Sequence, residues 1–146
     1  MAMRINRDIT AFDTSRRAKE SKDVRDSRHL AWIRTLPSVV SGRLGCEAAH
    51  ISFADRRFGK PERARGRKAG DDWVLPLTAE EHRTGPEAQH RTGKEREWWE
   101  SRGIDATTLA TRLWAVSGDT EAAIRIINQA KLMAAEMRRH WKAGPA

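Results

Sequence analysis

Between Cys46 and His90 the chain carries three of its five histidines and two adjacent aspartates, set around its densest block of arginine and lysine. These residues are His50, Asp71, Asp72, His82 and His90. Imidazole titrates near neutral pH, so a histidine can act as a general base. Histidine and carboxylate together can hold a divalent ion. Guanidinium and ammonium groups grip phosphate. Hydrolysis of a phosphodiester needs those three things: an activated water, a cation at the scissile phosphate and leaving oxygen, and positive charge to hold the substrate backbone.

The basic block runs from Asp55 to Lys68. Seven of its residues are cationic (Arg56, Arg57, Lys60, Arg63, Arg65, Arg67 and Lys68), opposed only by Asp55 and Glu62. Gly59, Pro61 and Gly66 make it a solvated loop, and phosphate contact is the role its charge implies. His50 falls at the end of a predicted strand beside Ala48 and Ala49, small neighbours that leave room for a substrate. Asp71 and Asp72 open the next strand, where a carboxylate can orient His50 or bind metal. His82 and His90 are separated by Gly85-Pro86. Their spacing is not the His-x-x-x-His that places two ligands on one helical face, so spacing alone is a weak metal signal.

The elements that must position these groups follow from local patterns. Residues 1–27 mix both signs of charge with little apolar periodicity and read as a mobile arm or a loosely held helix. Ser27 can cap a helix ending before Pro37, with Leu30, Ile33 and Leu36 on one face. Ala48 to Phe53 and Trp73 to Leu77 read as strands. Thr78-Ala79-Glu80-Glu81 fits a capping box, so a helix should begin at Ala79 and carry His82 in its first turn. A second helix past Gly85-Pro86 should carry His90. Helices follow over Glu95–Ser101 with a stop at Gly103, from Asp105 through Trp114, and over residues 120–142 after Asp119. The last has an apolar stripe of Ala123, Ile126, Ile127, Ala130, Leu132, Met133 and Met137. His29 and His140 read as surface residues. Trp98 and Trp99 are adjacent on a helix, so one is expected to face away from the core. No βαβ alternation calls for a parallel sheet.

Composition sets the bounds. The 146 residues fit one domain, with 38% hydrophobic and 33% charged residues and six tryptophans to enlarge a modest core. A net charge of +8 implies a phosphate-rich partner, nucleic acid before membrane. The single cysteine excludes an intramolecular disulfide and points to a reducing interior. No apolar run approaches the ~20 residues of a membrane span. No signal-peptide stretch opens the chain, and an intracellular protein is expected.

The ordered set Ala49-His50-Ile51, Asp71-x-Trp73-x-Leu75-Pro76-Leu77 and His82-Arg83-Thr84-Gly85-x5-His90 resembles the HNH, or ββα-metal, nucleases. The nearest subgroup is that of phage and prophage proteins similar to the recombination-enhancement nuclease that works with RecA. Leu36-Pro37, Gly59-Lys60-Pro61 and Glu97-Trp98-Trp99 leading to Gly103-Ile104-Asp105 extend the likeness over about residues 28–115. The resemblance implies an α+β fold with a small ββα-metal core, flanking helices and a mostly helical C-terminal half. It divides the chain into an arm (1–27), a nuclease core (28–103) and a helical extension packing on that core (104–146). His50 would be the general base, or part of the metal site, and Asp71 its partner in the motif. His82 and His90 would hold one divalent ion (Mg²⁺, Mn²⁺ or Zn²⁺), with Asp72 as a further ligand. DNA would be the substrate, a RecA-like recombinase a partner, and the cytoplasm of a bacterial host the location; no membrane contact is expected.

The chain departs from that family at its structural zinc knuckle. Relatives carry Cys-x-x-Cys where this chain has Ser38-Val39-Val40-Ser41, and further ligands near Thr78. Hydroxyls are poor zinc ligands, so no structural zinc is expected. Val39, Val40, Leu44 and tryptophans should pack in its place, with Cys46 a small core residue. The missing ligands motivate an alternative: an HNH-derived DNA-binding or recombination accessory protein that does not cut. A third reading is a basic helical RNA-binding protein whose affinity ignores the histidines.

Overall fold

The computed structural model describes residues 23–63, 66 and 68–144. The arm over residues 1–22, and with it most of the first expected segment, lies outside the described residues, as do Arg65 and Arg67. The fold is α+β: helices with one two-stranded antiparallel sheet.

Helix α1 (Ser27–Ile33) is capped by Asp26, not by Ser27. The Asp26 carboxylate accepts from the backbone N–H groups of Arg28 and His29, which have no partner inside the helix. The helix also stops earlier than Pro37 requires, and Leu36 is buried from the turn that follows it. Strand β1 (Cys46–His50) pairs with β2 (Val74–Thr78), placing Cys46 opposite Thr78 and His50 opposite Val74. Every residue of β2 is buried, so its sequence lacks the polar alternation of a half-exposed strand. Pro76 is tolerated because the sheet has only two strands, and its carbonyl accepts from the Val39 N–H at 3.1 Å.

Between the strands Arg56–Phe58 form a 3-10 turn capped by Asp55. After β2 the capping box forms as the sequence predicts: the Thr78 N–H donates to Glu81 at 2.9 Å and the Glu81 N–H to Thr78 Oγ1 at 3.2 Å. The turn it starts is a single wide π-type turn, Glu80–Thr84, closed at Gly85. Helices α2 (Gln89–Thr92), α3 (Glu95–Ser101), α4 (Ala106–Ala115) and α5 (Thr120–Ala143) complete the chain. Asp105 and Asp119 cap the last two, as expected. Gly103 has φ +71°, and a Cβ there would lie 3.0 Å from the Ala134 carbonyl oxygen of α5, so this turn needs glycine twice over.

One core joins these elements. Ile33, Leu36, Val39, Ile51, Val74, Leu75, Leu77, Leu113 and Ile127 are closed to solvent. Each such aliphatic contributes roughly 1.5–3 kcal/mol by leaving water. Trp98 and Trp99 are both buried, contrary to the expectation that one faces out. Their rings meet edge to face at 4.9 Å; Trp98 donates its indole N–H to the Glu87 carbonyl, while the Arg102 guanidinium lies over its ring. His29 is 1% exposed rather than a surface residue, with Nδ1 2.7 Å from Ser117 Oγ and its ring edge-on to Trp114. His140 is exposed as expected. On α5 only Ala123, Ile127 and Ala134 are buried, while Leu132, Met133 and Met137 are exposed. The second half of this helix has little of the domain beneath it.

Ser38, Ser41 and Thr78 are held together by one carboxylate, that of Glu81. Ser38 Oγ donates to Glu81 at 2.6 Å, Thr78 donates its N–H to the same carboxylate, and Ser41 adds a side-chain bond. The N–H groups of Val40 and Ser41 in turn close on Ser38 Oγ. Burial works to raise the Glu81 pKa, and these hydrogen bonds outweigh it to leave the group lowered. Val39 packs in the core as expected, but Leu44 is 73% exposed and takes no part. Cys46 is buried beside this cluster, and burial, with the Glu81 charge, pushes its thiol up to about 11.

Candidate active site

His50 is the last residue of β1 and Asp71 lies in the turn that enters β2, so the register of the ribbon brings them together. His50 Nε2 is 2.8 Å from Asp71 Oδ1. A carboxylate only accepts, so Nε2–H donates, and in the neutral ring the lone pair lies on Nδ1. Asp71 is itself fixed. Its Oδ2 accepts the Asp26 N–H at 2.9 Å, its own N–H donates to the Val24 carbonyl at 2.9 Å, and Arg25 lies 3.5 Å from Oδ1. Residues 24–26, at the end of the charged arm, therefore position the carboxylate. Burial works against its charge, but the bonds from His50 and Asp26, with the nearby Arg25 guanidinium, win, and its pKa is lowered.

His82 and His90 form the second pair. Their rings meet edge to face with centroids 4.4 Å apart. His82 is buried, and its Nδ1 is 2.7 Å from Glu47 Oε2. Glu47 also receives the Arg83 guanidinium through both carboxylate oxygens. The Arg83 bonds first, and His82 after them, hold the Glu47 pKa down to about 2 against the effect of its burial. The charged carboxylate accepts from His82 Nδ1–H, so in the neutral ring Nε2 carries the lone pair, the arrangement of a carboxylate-supported metal histidine. Burial, then the neighbouring His82, lower the pKa of His90, which favours the neutral imidazole that a metal requires. Glu47 gave no signal in the sequence. It precedes His50 by three in a strand, which puts it on the opposite face from that histidine, and only the path of the chain brings His82 to that face.

A pocket of about 320 Å³ opens on one member of each pair, with His50, Ser52, Arg63, Gln89, His90 and Glu95 in its wall. Glu95 accepts from the Ser52 N–H and hydroxyl and from Gln89 Nε2. Gln89 is 3% exposed, and its Oε1 has no partner among the described residues. Neither residue was singled out from the sequence. A Glu at the start of a charged helix and a Gln in a short turn look like ordinary surface residues.

Asp72, expected with the metal histidines, is not brought to them. It is half-buried and folds back over Gly70, where a Cβ would meet Asp72 Oδ1 at 2.3 Å. Its charged neighbours are Lys60, Asp71 and Asp23, and burial before all else raises its pKa. The expected phosphate-binding set also divides. Arg56, Arg63 and Lys68 are exposed. Arg57 is bound to Asp105 at 2.7 and 2.9 Å and to Asp55, its pKa raised by those bonds. Lys60 is 4% exposed, donates to the Phe53 carbonyl at 2.7 Å and lies over the Trp73 ring. These two cations hold the loop to the domain.

No family model, curated protein or solved structure matches this chain. Its chemistry must therefore be argued from its own residues. Among the described residues no three His, Cys, Asp or Glu side chains form a ready metal cluster, and no helix is long and apolar enough to cross a membrane. The donors come as pairs: two imidazoles with free lone pairs, a carboxylate and a buried amide oxygen without a partner. That set suits a hard divalent ion that keeps several waters better than a closed zinc site. A larger cleft of about 480 Å³ beside α4 and α5 has a mostly apolar wall, including Trp99, Leu109 and Met133. Its Arg57, Asp55 and Asp105 are spent on one another.

Proposed function

We propose that this chain is a metal-dependent DNA endonuclease of the HNH type, with residues 28–103 as its catalytic unit and 104–146 as a helical brace. The observation that carries the reading is the His50–Asp71 pair at a pocket that also contains His90 and the exposed cation Arg63. His50 Nδ1 takes a proton from the attacking water, while Asp71 holds the ring and stabilises the imidazolium that forms. Arg63, with Arg56 and Lys68 on the same loop, holds the phosphate backbone. His82 and His90 would hold one divalent ion, which would supply positive charge at the scissile phosphate and the leaving oxygen. Glu47 keeps His82 in the tautomer that offers Nε2. DNA is the substrate, and the resemblance adds a RecA-like recombinase as partner and a bacterial cytoplasm as the setting.

The test is nicking of supercoiled plasmid in Mg²⁺ or Mn²⁺, with EDTA as control. His50→Ala should abolish nicking and leave DNA binding intact. Equal cleavage by variant and wild type, or retained cleavage in EDTA, sinks the proposal. DNA binding with no cleavage by the wild type favours the accessory-protein reading instead.

A further inference from the structure

The apolar stripe of α5 runs on past the core beneath it. Met133, Met137 and Trp141 follow one another at intervals of four, so they stand in one row on the helix, about 6 Å apart at ~1.5 Å per residue. The row starts in the cleft of about 480 Å³ beside α4 and α5, whose wall includes Ile104, Leu109, Met133 and Met137. It leaves the cleft past Met137, and exposure rises along it from 56% at Met133 to 89% at Trp141. Single exposed apolar side chains need no explanation. A contiguous row that runs out of an apolar cleft marks an interaction surface.

The charge around the row decides what can cover it. From Lys131 to Lys142, the cations Lys131, Arg138, Arg139 and Lys142 are opposed only by Glu136. Arg138 donates to the Arg102 carbonyl at 2.7 Å; at the cleft wall, Arg112 donates to the Gln129 amide at 2.9 Å and Arg96 to the Ala54 carbonyl at 2.6 Å. Among the described residues none of these three has a carboxylate partner, and Arg139 reaches Glu136 only at 3.9 Å. Of the carboxylates in the wall, Asp55 and Asp105 are held by Arg57, which leaves Glu100 against these cations. A second copy of the chain would set this basic end against another of the same sign. Residues 1–22, with six cations and three carboxylates, carry that sign too. Like charges oppose association. The composition of the row, methionine and tryptophan with arginine beside them, is that of a protein interface rather than of a phosphate grip.

We propose that this row and the cleft behind it form a docking groove for an acidic amphipathic helix of a partner protein. The apolar face of that helix enters the cleft beside Leu109 and Met133 and packs along Met137 and Trp141. Its carboxylates meet Arg138, Arg139 and Lys142 at the outer end and Arg112 at the cleft, where guanidinium groups now bind only neutral oxygens. The groove lies on the helical extension and needs neither His50 nor a metal, so it stands apart from the nuclease reading.

Isothermal titration calorimetry of the full chain with three synthetic helical peptides tests this. One has a leucine face and a glutamate face, the second has lysine for glutamate, and the third has serine for leucine. The leucine–glutamate peptide should bind one to one with micromolar affinity, and each of the others at least about tenfold more weakly, a decade per lost feature. Trp141→Ser should weaken the first peptide by about 30-fold, the loss that marks an interface hot spot, and Met137→Ser by at least about fivefold. The double change Arg138→Glu with Arg139→Glu should weaken it by about tenfold or more. Circular dichroism checks each fold; Met137 and Trp141 are exposed, so their variants decide if the charge reversal unfolds the chain. The proposal is overturned if the leucine–glutamate peptide does not bind, if either control peptide binds as well, or if folded Trp141→Ser and Met137→Ser bind like wild type. Sedimentation that shows a dimer dispersed by Trp141→Ser overturns it in favour of a second copy. Phosphatidylserine vesicles or a single-stranded oligonucleotide that bind through Trp141 more tightly than the peptide overturn it in favour of a membrane or nucleic acid.

Discussion

Asp71→Asn isolates what the His50–Asp71 pair contributes. The substitution keeps the size and shape of the side chain and changes one oxygen to NH₂. Two contacts compete to orient the new amide. The Asp26 N–H donates to Oδ2 at 2.9 Å, a full hydrogen bond, whereas Arg25 reaches Oδ1 only at 3.5 Å. The shorter bond prevails, so the amide oxygen stays on Asp26 and the NH₂ group faces His50 Nε2. A donor there forces the imidazole proton onto Nδ1, the nitrogen that must accept from water. A positioned general base contributes about 10²–10⁴ in rate, and a forced tautomer in a serine protease triad removes about 10⁴. The expected loss in nicking rate is thus about 10³, or about 4 kcal/mol of transition-state stabilisation at 1.36 kcal/mol per decade. Single-turnover nicking of supercoiled plasmid under saturating Mg²⁺ measures it, with DNA affinity and circular dichroism as controls. A folded Asp71→Asn variant that nicks as fast as wild type refutes the role assigned to the pair. The same variant carries a pH signature. The folded pKa of Asp71 lies below its ordinary value, so the unfolded chain takes up that proton first as pH falls. The stabilisation is complete above the ordinary carboxylate value of about 3.9 and is lost as pH drops through the folded value. Asp71→Asn should therefore flatten the fall of stability in acid relative to wild type, read from urea midpoints across the acid range.

Three further variants test other contacts. Glu81→Ala strands the buried Ser38 hydroxyl and the Thr78 N–H, and should cost about 1–3 kcal/mol in urea unfolding. An unchanged midpoint would show that this carboxylate does not hold the Ser38–Ser41 loop. Arg63→Ala should weaken DNA binding for any sequence and reduce the slope of log affinity against log salt by about 1, the mark of one lost phosphate contact. Arg57→Ala should instead lower Tm and leave that slope alone, because its guanidinium is occupied by Asp55 and Asp105. The opposite pattern would reverse the two roles.

Much of the fold follows from local rules. Thr78 and Glu81 form their capping box, Asp105 and Asp119 cap their helices, and Gly103 stops α3, because each device acts within four residues of chain. Strand β2 appears where Val74, Leu75 and Leu77 cluster, whereas β1 begins two residues before the expected start at Ala48 and ends at His50, short of Phe53. The misses have one cause. Trp98 and Trp99 are both buried because core surrounds the short α3 on more than one side, and His29 is buried because Trp32 and Trp114 close over it. Neighbours distant in the chain decide burial, and helical periodicity records only one face.

The order of His50, Asp71, His82 and His90 and the basic loop between them are legible in the chain before it folds. Residue type sets what a side chain can accept, donate or coordinate, and that needs no fold. Only the tertiary structure decided the partners. It pairs His50 with Asp71 through the register of β1 and β2, and seats His82 on Glu47. It spends Arg57 and Lys60 on internal bonds, keeps Asp72 with Lys60, and lines one pocket with Glu95, Gln89 and His90. The physical reason is distance: hydrogen bonds and metal ligation act over a few ångströms, and residues more than forty positions apart, such as Ser52 and Glu95, come that close only when the chain has folded.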